Sequence, residues 1–134
     1  MPENGSTPTV LVVEDSGPLR KMIGSMLRES DFHVFEAANG SEALEILARD
    51  PGSIDLVLTD VVMPHISGTE LAGSLSLIRP ALPVLFMSGF SEDPVVRDLE
   101  NGSNFFLRKP FTASALLEAV RRVLAGAETQ NTRR

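Results

Sequence analysis

The sequence predicts an α/β domain: a doubly wound parallel sheet built from five βα units. Three observations carry that expectation. Five short apolar runs alternate with segments of helical apolar spacing. Four of those runs are largely continuous in apolar character, as strands covered on both faces are. The chain has 134 residues, 43% hydrophobic and 22% charged, which is enough for one ordinary core and cramped for two.

Residues 1–8 are polar and carry Pro and Gly, so a flexible tail is expected there, followed by one domain over 9–125 and a second flexible tail over 126–134. The first strand is expected at 10–13. Pro18 then occupies the first turn of a helix. Leu19, Met22, Ile23, Met26 and Leu27 follow its i, i+3, i+4, i+7, i+8 stripe, and both methionines are assigned to the core. Phe32-His33-Val34-Phe35 is interrupted by a His and reads as an edge strand. Asn39-x-x-Glu42 has capping-box spacing, with Asn in place of Ser or Thr, ahead of the stripe Ala43, Leu44, Leu47.

The third strand is expected at 54–58. The capping box Ser67-x-x-Glu70 opens a helix with the stripe Leu71, Leu75, Ile78, which Pro80 helps to stop. Residues 84–87 make the fourth run. Ser91 is expected to start a short fourth helix, with Glu92 and Asp93 in its first turn, Pro94 tolerated there, and the weak stripe Val95, Val96, Leu99. The fifth run is 105–107, and Thr112 opens a last helix with the stripe Leu116, Leu117, Val120, Leu124.

Composition excludes several functions. Twelve Lys and Arg against 18 Asp and Glu leave a formal charge of −6, a poor basis for nonspecific nucleic-acid binding. No cysteine is present, which removes disulfides, thiolate metal sites and a cysteine nucleophile; the absence of Tyr removes tyrosine chemistry. The first residues have neither a basic nor an apolar signal region, and no apolar run approaches the ~20 residues of a membrane span. A soluble cytoplasmic domain is the expectation.

In an open parallel sheet, function sits beyond the carboxyl ends of the strands. Glu14 and Asp15 follow the first strand, Asp60 the third, Ser88 and Gly89 the fourth, and Arg108, Lys109 and Pro110 the fifth. Only Ala37 and Ala38 follow the second. Each taken singly reads as a cap, a turn or a solvated charge. Capping does not, however, require four strand ends to carry complementary chemistry. Two carboxylates 4 Å apart repel by roughly 4 kcal/mol at an effective dielectric near 20. Three in one pocket call for a hard divalent cation, and Mg²⁺ suits a site with few carboxylates and retained waters. A carboxylate beside Mg²⁺, a lysine and a hydroxyl is a phosphoryl-accepting site.

The motifs Val10-Leu11-Val12-Val13-Glu14-Asp15, Leu56-Val57-Leu58-Thr59-Asp60-Val61-Val62-Met63-Pro64 with Gly68, Phe86-Met87-Ser88-Gly89 and Leu107-Arg108-Lys109-Pro110-Phe111 occur in order with matching spacing. Over residues 9 to 125 the chain thereby resembles a response-regulator receiver domain of two-component signalling. The resemblance implies a flavodoxin-like strand order 2-1-3-4-5. It implies Asp60 as phosphoacceptor, and Asp15, Asp60 and the backbone carbonyl of Val62 as Mg²⁺ ligands, with Glu14 acting mainly through water. Ser88 becomes the hydroxyl that bonds the phosphoryl group, Lys109 the conserved-type lysine with a cis bond to Pro110, and Phe106 the aromatic switch position. The implied partner is a histidine kinase or a histidine phosphotransfer protein, with no nucleic acid, no membrane and no separate substrate to turn over as an enzyme would. Phe106 lacks a hydroxyl, so a tyrosine-type switch is excluded. The resemblance also implies that Val62 and Phe90 stand at the positions nearest the hydrolytic water. Neither orients a water, so a long-lived phosphoryl group is expected.

A haloacid-dehalogenase-like phosphatase would need an acid two residues after the nucleophile, where Val62 stands. A flavodoxin relative would need a phosphate-binding loop where Glu14-Asp15-Ser16 repels phosphate. No G-x-G-x-x-G or P-loop pattern occurs. A scaffold pseudo-receiver that is never phosphorylated is opposed by the presence of every site residue type. His33 and His65 are expected in structural or solvent roles, and Phe111 tucked against the last helix. With only a short polar stretch after residue 125, no effector domain is expected. The chain then works alone, as Met1 favours, or is the receiver end of a hybrid histidine kinase, which its Met-Ser-Gly-Phe and Arg-Lys-Pro-Phe-Thr phrasing resembles.

Overall fold

The computed structural model describes residues 7–50, 52–89, 93–102 and 105–132. The elements alternate as expected: β1 (Thr9–Val13), α1 (Gly17–Arg28), β2 (His33–Ala37), α2 (Gly40–Arg49), β3 (Leu56–Asp60), α3 (Gly68–Ile78), β4 (Val84–Ser88), α4 (Pro94–Gly102), β5 (Phe106–Arg108) and α5 (Ala113–Thr132). The five strands are all parallel, in the order β2-β1-β3-β4-β5. The fold is therefore flavodoxin-like, as the resemblance implied.

The period of two along each strand separates two apolar layers. Val10 and Val12 of β1 pack with Leu56 and Leu58 of β3, Ile23 and Leu27 of α1, and Leu116 and Val120 of α5. Leu11 and Val13 point the other way, into a second cluster with Ala43 and Leu47 of α2 and Leu71 and Leu75 of α3. Strand β1 is sealed on both faces, which is why its run is apolar without alternation. Strand β2 is at the sheet edge, and its His33 and Phe35 are exposed.

The caps follow local chemistry. Ser16 accepts from the Leu19 amide at 3.4 Å, with Pro18 in the first turn of α1. Asn39 accepts from the Glu42 amide at 2.8 Å, but Glu42 reaches the Ala38 amide, at 2.6 Å, rather than that of the cap residue. The Ser67–Glu70 box closes in both directions at α3. Arg79 adopts φ −140° and ψ 72°, extended as a residue before Pro80 must be, and α3 ends there. Thr112 accepts from the Ala115 amide at 3.1 Å.

Five expectations are corrected, the first being Val95 of the fourth stripe, which is 50% exposed while its neighbour Val96 is buried. Met22 is 48% exposed, because Ile23 and Leu27 turn α1 so that Met22 falls at the edge of its apolar stripe. Ile78 is 59% exposed as the last residue of α3, where the chain turns away at Arg79. Asp93 directly precedes α4, its carboxylate accepting from the Val95 amide at 2.9 Å, while Ser91 and Glu92 lie outside the described residues. Helix α5 continues past Gly126 to Thr132, where a flexible tail was expected over 126–134. Ala127, Glu128 and Gln130 are good helix formers, no Pro intervenes, and each added residue extends a helix already nucleated on the core. At the other end, residues 1–6 lie outside the described residues, and the Pro8 carbonyl accepts from the His33 amide at 3.0 Å. No described helix is long and apolar enough to cross a membrane.

Candidate functional site

Three strand ends deliver three charged side chains to one point. Glu14 follows β1 and is 2% exposed; its amide extends the ladder to the Ala37 carbonyl at 3.1 Å. Asp60 ends β3 and is also buried. Lys109 follows β5 across a cis Lys109–Pro110 bond, and its amide donates to the Ser88 carbonyl at 2.8 Å. The Lys109 ammonium lies 2.9 Å from Glu14 Oε1 and 2.9 Å from Asp60 Oδ2. The remaining carboxylate oxygens have backbone donors. Glu14 Oε2 accepts from the Ser16 amide at 3.0 Å, and Asp60 Oδ1 from the Val62 amide at 3.3 Å.

The exit of β3 is tightly constrained. Val61 donates to the Met87 carbonyl at 3.0 Å, and Gly68 donates to the Val61 carbonyl at 2.8 Å. A Cβ at Gly68 would overlap the Asp60 carbonyl oxygen and stand 2.9 Å from Val61 Cα. Only glycine lets α3 begin this close to the strand that carries Asp60. His65, in the same connection, is exposed with φ 69°, left-handed backbone that His tolerates better than most residues.

Asp15 is exposed, and one carboxylate oxygen from each of Glu14, Asp15 and Asp60 lies within 4.8 Å of the others. Three carboxylates against one ammonium leave a formal −3 + 1 = −2. Burial lowers the pKa of Lys109, but its hydrogen bonds to Asp60 and Glu14 and their charges outweigh that. The ammonium is therefore held above its ordinary 10.5. The donor set is all oxygen, without nitrogen or sulfur, and the residual charge matches a hard dication, so these residues fit Mg²⁺.

Of the residues singled out in the sequence, Glu14, Asp15, Asp60 and Lys109 meet at this point. Ser88 is buried at the neighbouring end of β4, in register with Arg108. The Val62 side chain is 60% exposed beside Asp60. Phe106 is half-buried in β5, in register with Phe86 of β4. Phe90 lies outside the described residues. Phe111 packs against the cluster containing α5 residues, as expected, and His33 and His65 are both exposed. Sequence reasoning missed Arg20, whose Nη1 donates to the Glu14 carbonyl at 2.8 Å. Its only sequence signal is an arginine in the first turns of the helix that follows the acidic pair.

Fold and site together define a single α/β module that presents a carboxylate, a lysine and an acidic pocket at the carboxyl edge of a parallel sheet. The model of the response regulator receiver domain family matches residues 10–121, and the chain belongs to that family. It is 39% identical over 117 residues to sensor kinase CckA of Brucella abortus; the match covers 87% of this chain and only 12% of that protein. It is 33% identical to the response regulator receiver protein CpdR of the same organism, covering 88% of this chain and 98% of the relative. Among solved structures, the receiver domain of hybrid histidine kinase CckA matches with TM-score 0.71 at 34% identity, over 87% of this chain and 98% of that one. A Clostridium thermocellum receiver domain matches with TM-score 0.81 at 27% identity, over 92% and 98% of the two chains.

Proposed function

We propose that this receiver domain accepts a phosphoryl group on Asp60 from a phosphohistidine partner, either a histidine kinase or a histidine phosphotransfer protein. The observation that carries the reading is the Lys109 ammonium 2.9 Å from both buried carboxylates, Glu14 and Asp60. A carboxylate oxygen of Asp60 attacks phosphorus; the new P–O bond forms as the P–N bond to imidazole breaks, and the electron pair leaves with the ring nitrogen. Lys109 already touches the attacking group and takes a phosphoryl oxygen, while the Ser88 hydroxyl takes another. Asp15, Asp60 and the Val62 carbonyl, with Glu14 in support, would hold Mg²⁺, which neutralises the carboxylates and the transferring oxygens when bound. The phosphorylated form changes partner binding through Ser88 and Phe106.

The module spans 9–125, its last helix running on to Thr132, and acts in the cytoplasm as a signalling domain. It modifies itself rather than turning over a separate substrate, and it needs neither nucleic acid nor membrane. A second reading, that it is the receiver module of a hybrid kinase, is favoured by its likeness to the receiver of CckA. Incubation with acetyl phosphate and Mg²⁺ should add one phosphoryl mass to the intact protein and none to Asp60→Asn. Equal labelling of that variant removes the assignment. After donor removal the label should decay slowly, since neither Val62 nor Phe90 orients water, and faster in Val62→Asn with Phe90→Glu. Equal decay in both proteins would leave Mg²⁺ and Lys109 alone setting the lifetime.

A further inference from the structure

We propose that Arg20 is a positioning residue that holds Glu14 and Asp15 in the arrangement that takes a divalent cation, with Glu36 as its anchor. The inference rests on the receiver-site reading above. Glu14 is where β1 leaves the sheet. Its amide still pairs with Ala37, but its carbonyl lies past the last registers of β1, Val13 with Ala37 and Val13 with Thr59. Arg20 Nη1 supplies the donor to that carbonyl, at 2.8 Å. The peptide unit tied in this way is the one that joins Glu14 to Asp15. Its orientation therefore sets where the exposed Asp15 carboxylate stands relative to Glu14 and Asp60.

The other edge of the same guanidinium is anchored. Arg20 Nε lies 3.4 Å from Glu36 Oε1, and both side chains are only 17% exposed. Glu36, on edge strand β2, also meets Arg28 Nη1 at 3.2 Å and Lys21 Nζ at 3.6 Å. Room for this carboxylate comes from Gly24. A Cβ there would stand 2.9 Å from Glu36 Oε2 and 3.1 Å from Arg28 Nη1. Glycine is disfavoured inside a helix, and here its missing side chain is where α1 admits the ion-pair cluster. The planar guanidinium serves carbonyl and carboxylate at once through different nitrogens, which a single ammonium head on lysine does not reproduce. Without the tie, repulsion among Glu14, Asp15 and Asp60 is free to swing Asp15 outward, and cation binding must then reorder it.

The test is Mg²⁺ titration of the full chain, read by amide chemical shifts near Asp15 and by calorimetry, at a temperature where each variant is folded. Partners of this kind, one layer behind the ligands, typically change metal affinity 10–100-fold. Arg20→Ala should weaken Mg²⁺ binding about tenfold, and Arg20→Lys should recover only part of it. Acetyl phosphate labelling of Arg20→Ala should be slow at limiting Mg²⁺ and return at saturating Mg²⁺. A purely structural role would lower the melting midpoint of the metal-free protein and leave the Mg²⁺ affinity unmoved; that result overturns the inference. Should Arg20→Ala fail to fold, Glu36→Gln decides, since it keeps Arg20 and weakens its anchor. A severalfold loss of affinity supports the inference, and unchanged affinity overturns it. If the unaltered protein neither binds Mg²⁺ nor takes label, the receiver-site reading itself fails, independently of Arg20.

Discussion

Among the described residues, Lys109 has its protonation shifted by the fold. Its ammonium sits between Glu14 and Asp60 and has a pKa above the ordinary 10.5, so protonated Lys109 stabilises the folded state. That contribution is fully present below about pH 10.5, the unfolded value, and is lost as pH rises through the higher folded value. The chain is well suited to the measurement. It has no Tyr and no Cys, and its one other lysine, Lys21, has a side chain 74% exposed. Urea unfolding followed by circular dichroism between pH 9 and pH 12 should show stability falling above about pH 10.5, with a much flatter profile in Lys109→Met. Identical profiles would mean that the ion pairs contribute nothing to the fold. The site acids were legible in the sequence because each stands within two residues of the end of an apolar run. Arg20 and Gly24 were not, because the carboxylate they share, that of Glu36, is brought to α1 only by the β1–β2 pairing, and the Glu14 carbonyl that Arg20 meets carries no residue-type signal.

At the scale of elements, the Ser67–Glu70 box was read directly, whereas the place of a residue in an apolar stripe did not give its burial. The Ser67–Glu70 box closes as its spacing demands, since both partners lie within one helical turn. Ser67→Ala should cost about 1 kcal/mol, read as a lower urea midpoint at unchanged slope. A cost near zero would mean that the Gly68 amide bond to Val61 is enough to start α3 on its own. Met22 and Ile78 fit helical periodicity yet are exposed, because periodicity names a face and does not say how far the neighbouring layer extends over it. Strand bounds shifted by a residue or two, most clearly in β3, where the ladder runs to Asp60 itself rather than stopping at Leu58. The run of apolar residues marks what is buried, whereas the hydrogen-bonded ladder ends where neighbouring strands end.

For the whole molecule, a cation held in the pocket would couple its binding to stability. Glu14 comes from the end of β1, Asp15 from the loop after it and Asp60 from the end of β3, so an ion held by all three binds only the folded chain. Mg²⁺ at about a hundred times its dissociation constant should then raise the unfolding free energy by about 2.7 kcal/mol. The increment should vanish in Asp15→Asn, which should be no less stable than the unaltered protein when Mg²⁺ is absent, because a charge facing two others has been removed. Calorimetric melting with and without Mg²⁺ reads both effects, and an unchanged increment in Asp15→Asn would take Asp15 out of the ligand set.

The sequence by itself determined the class of fold, the order of its elements and the identities of Glu14, Asp15, Asp60, Ser88 and Lys109 as a candidate set. Each of those follows from short-range facts: a period of two or 3.6, a cap within a turn, a polar residue after an apolar run. Tertiary structure alone decided that Lys109 bridges two carboxylates at equal distance, that Gly68 must lack a Cβ against the Asp60 carbonyl, and that Arg20 ties the acidic loop to Glu36. These depend on how strand ends, turns and helix starts are placed in space, over 95 and 49 residues of chain for the Lys109 pairs, and that placement is set by strand pairing and layer packing rather than by a local pattern.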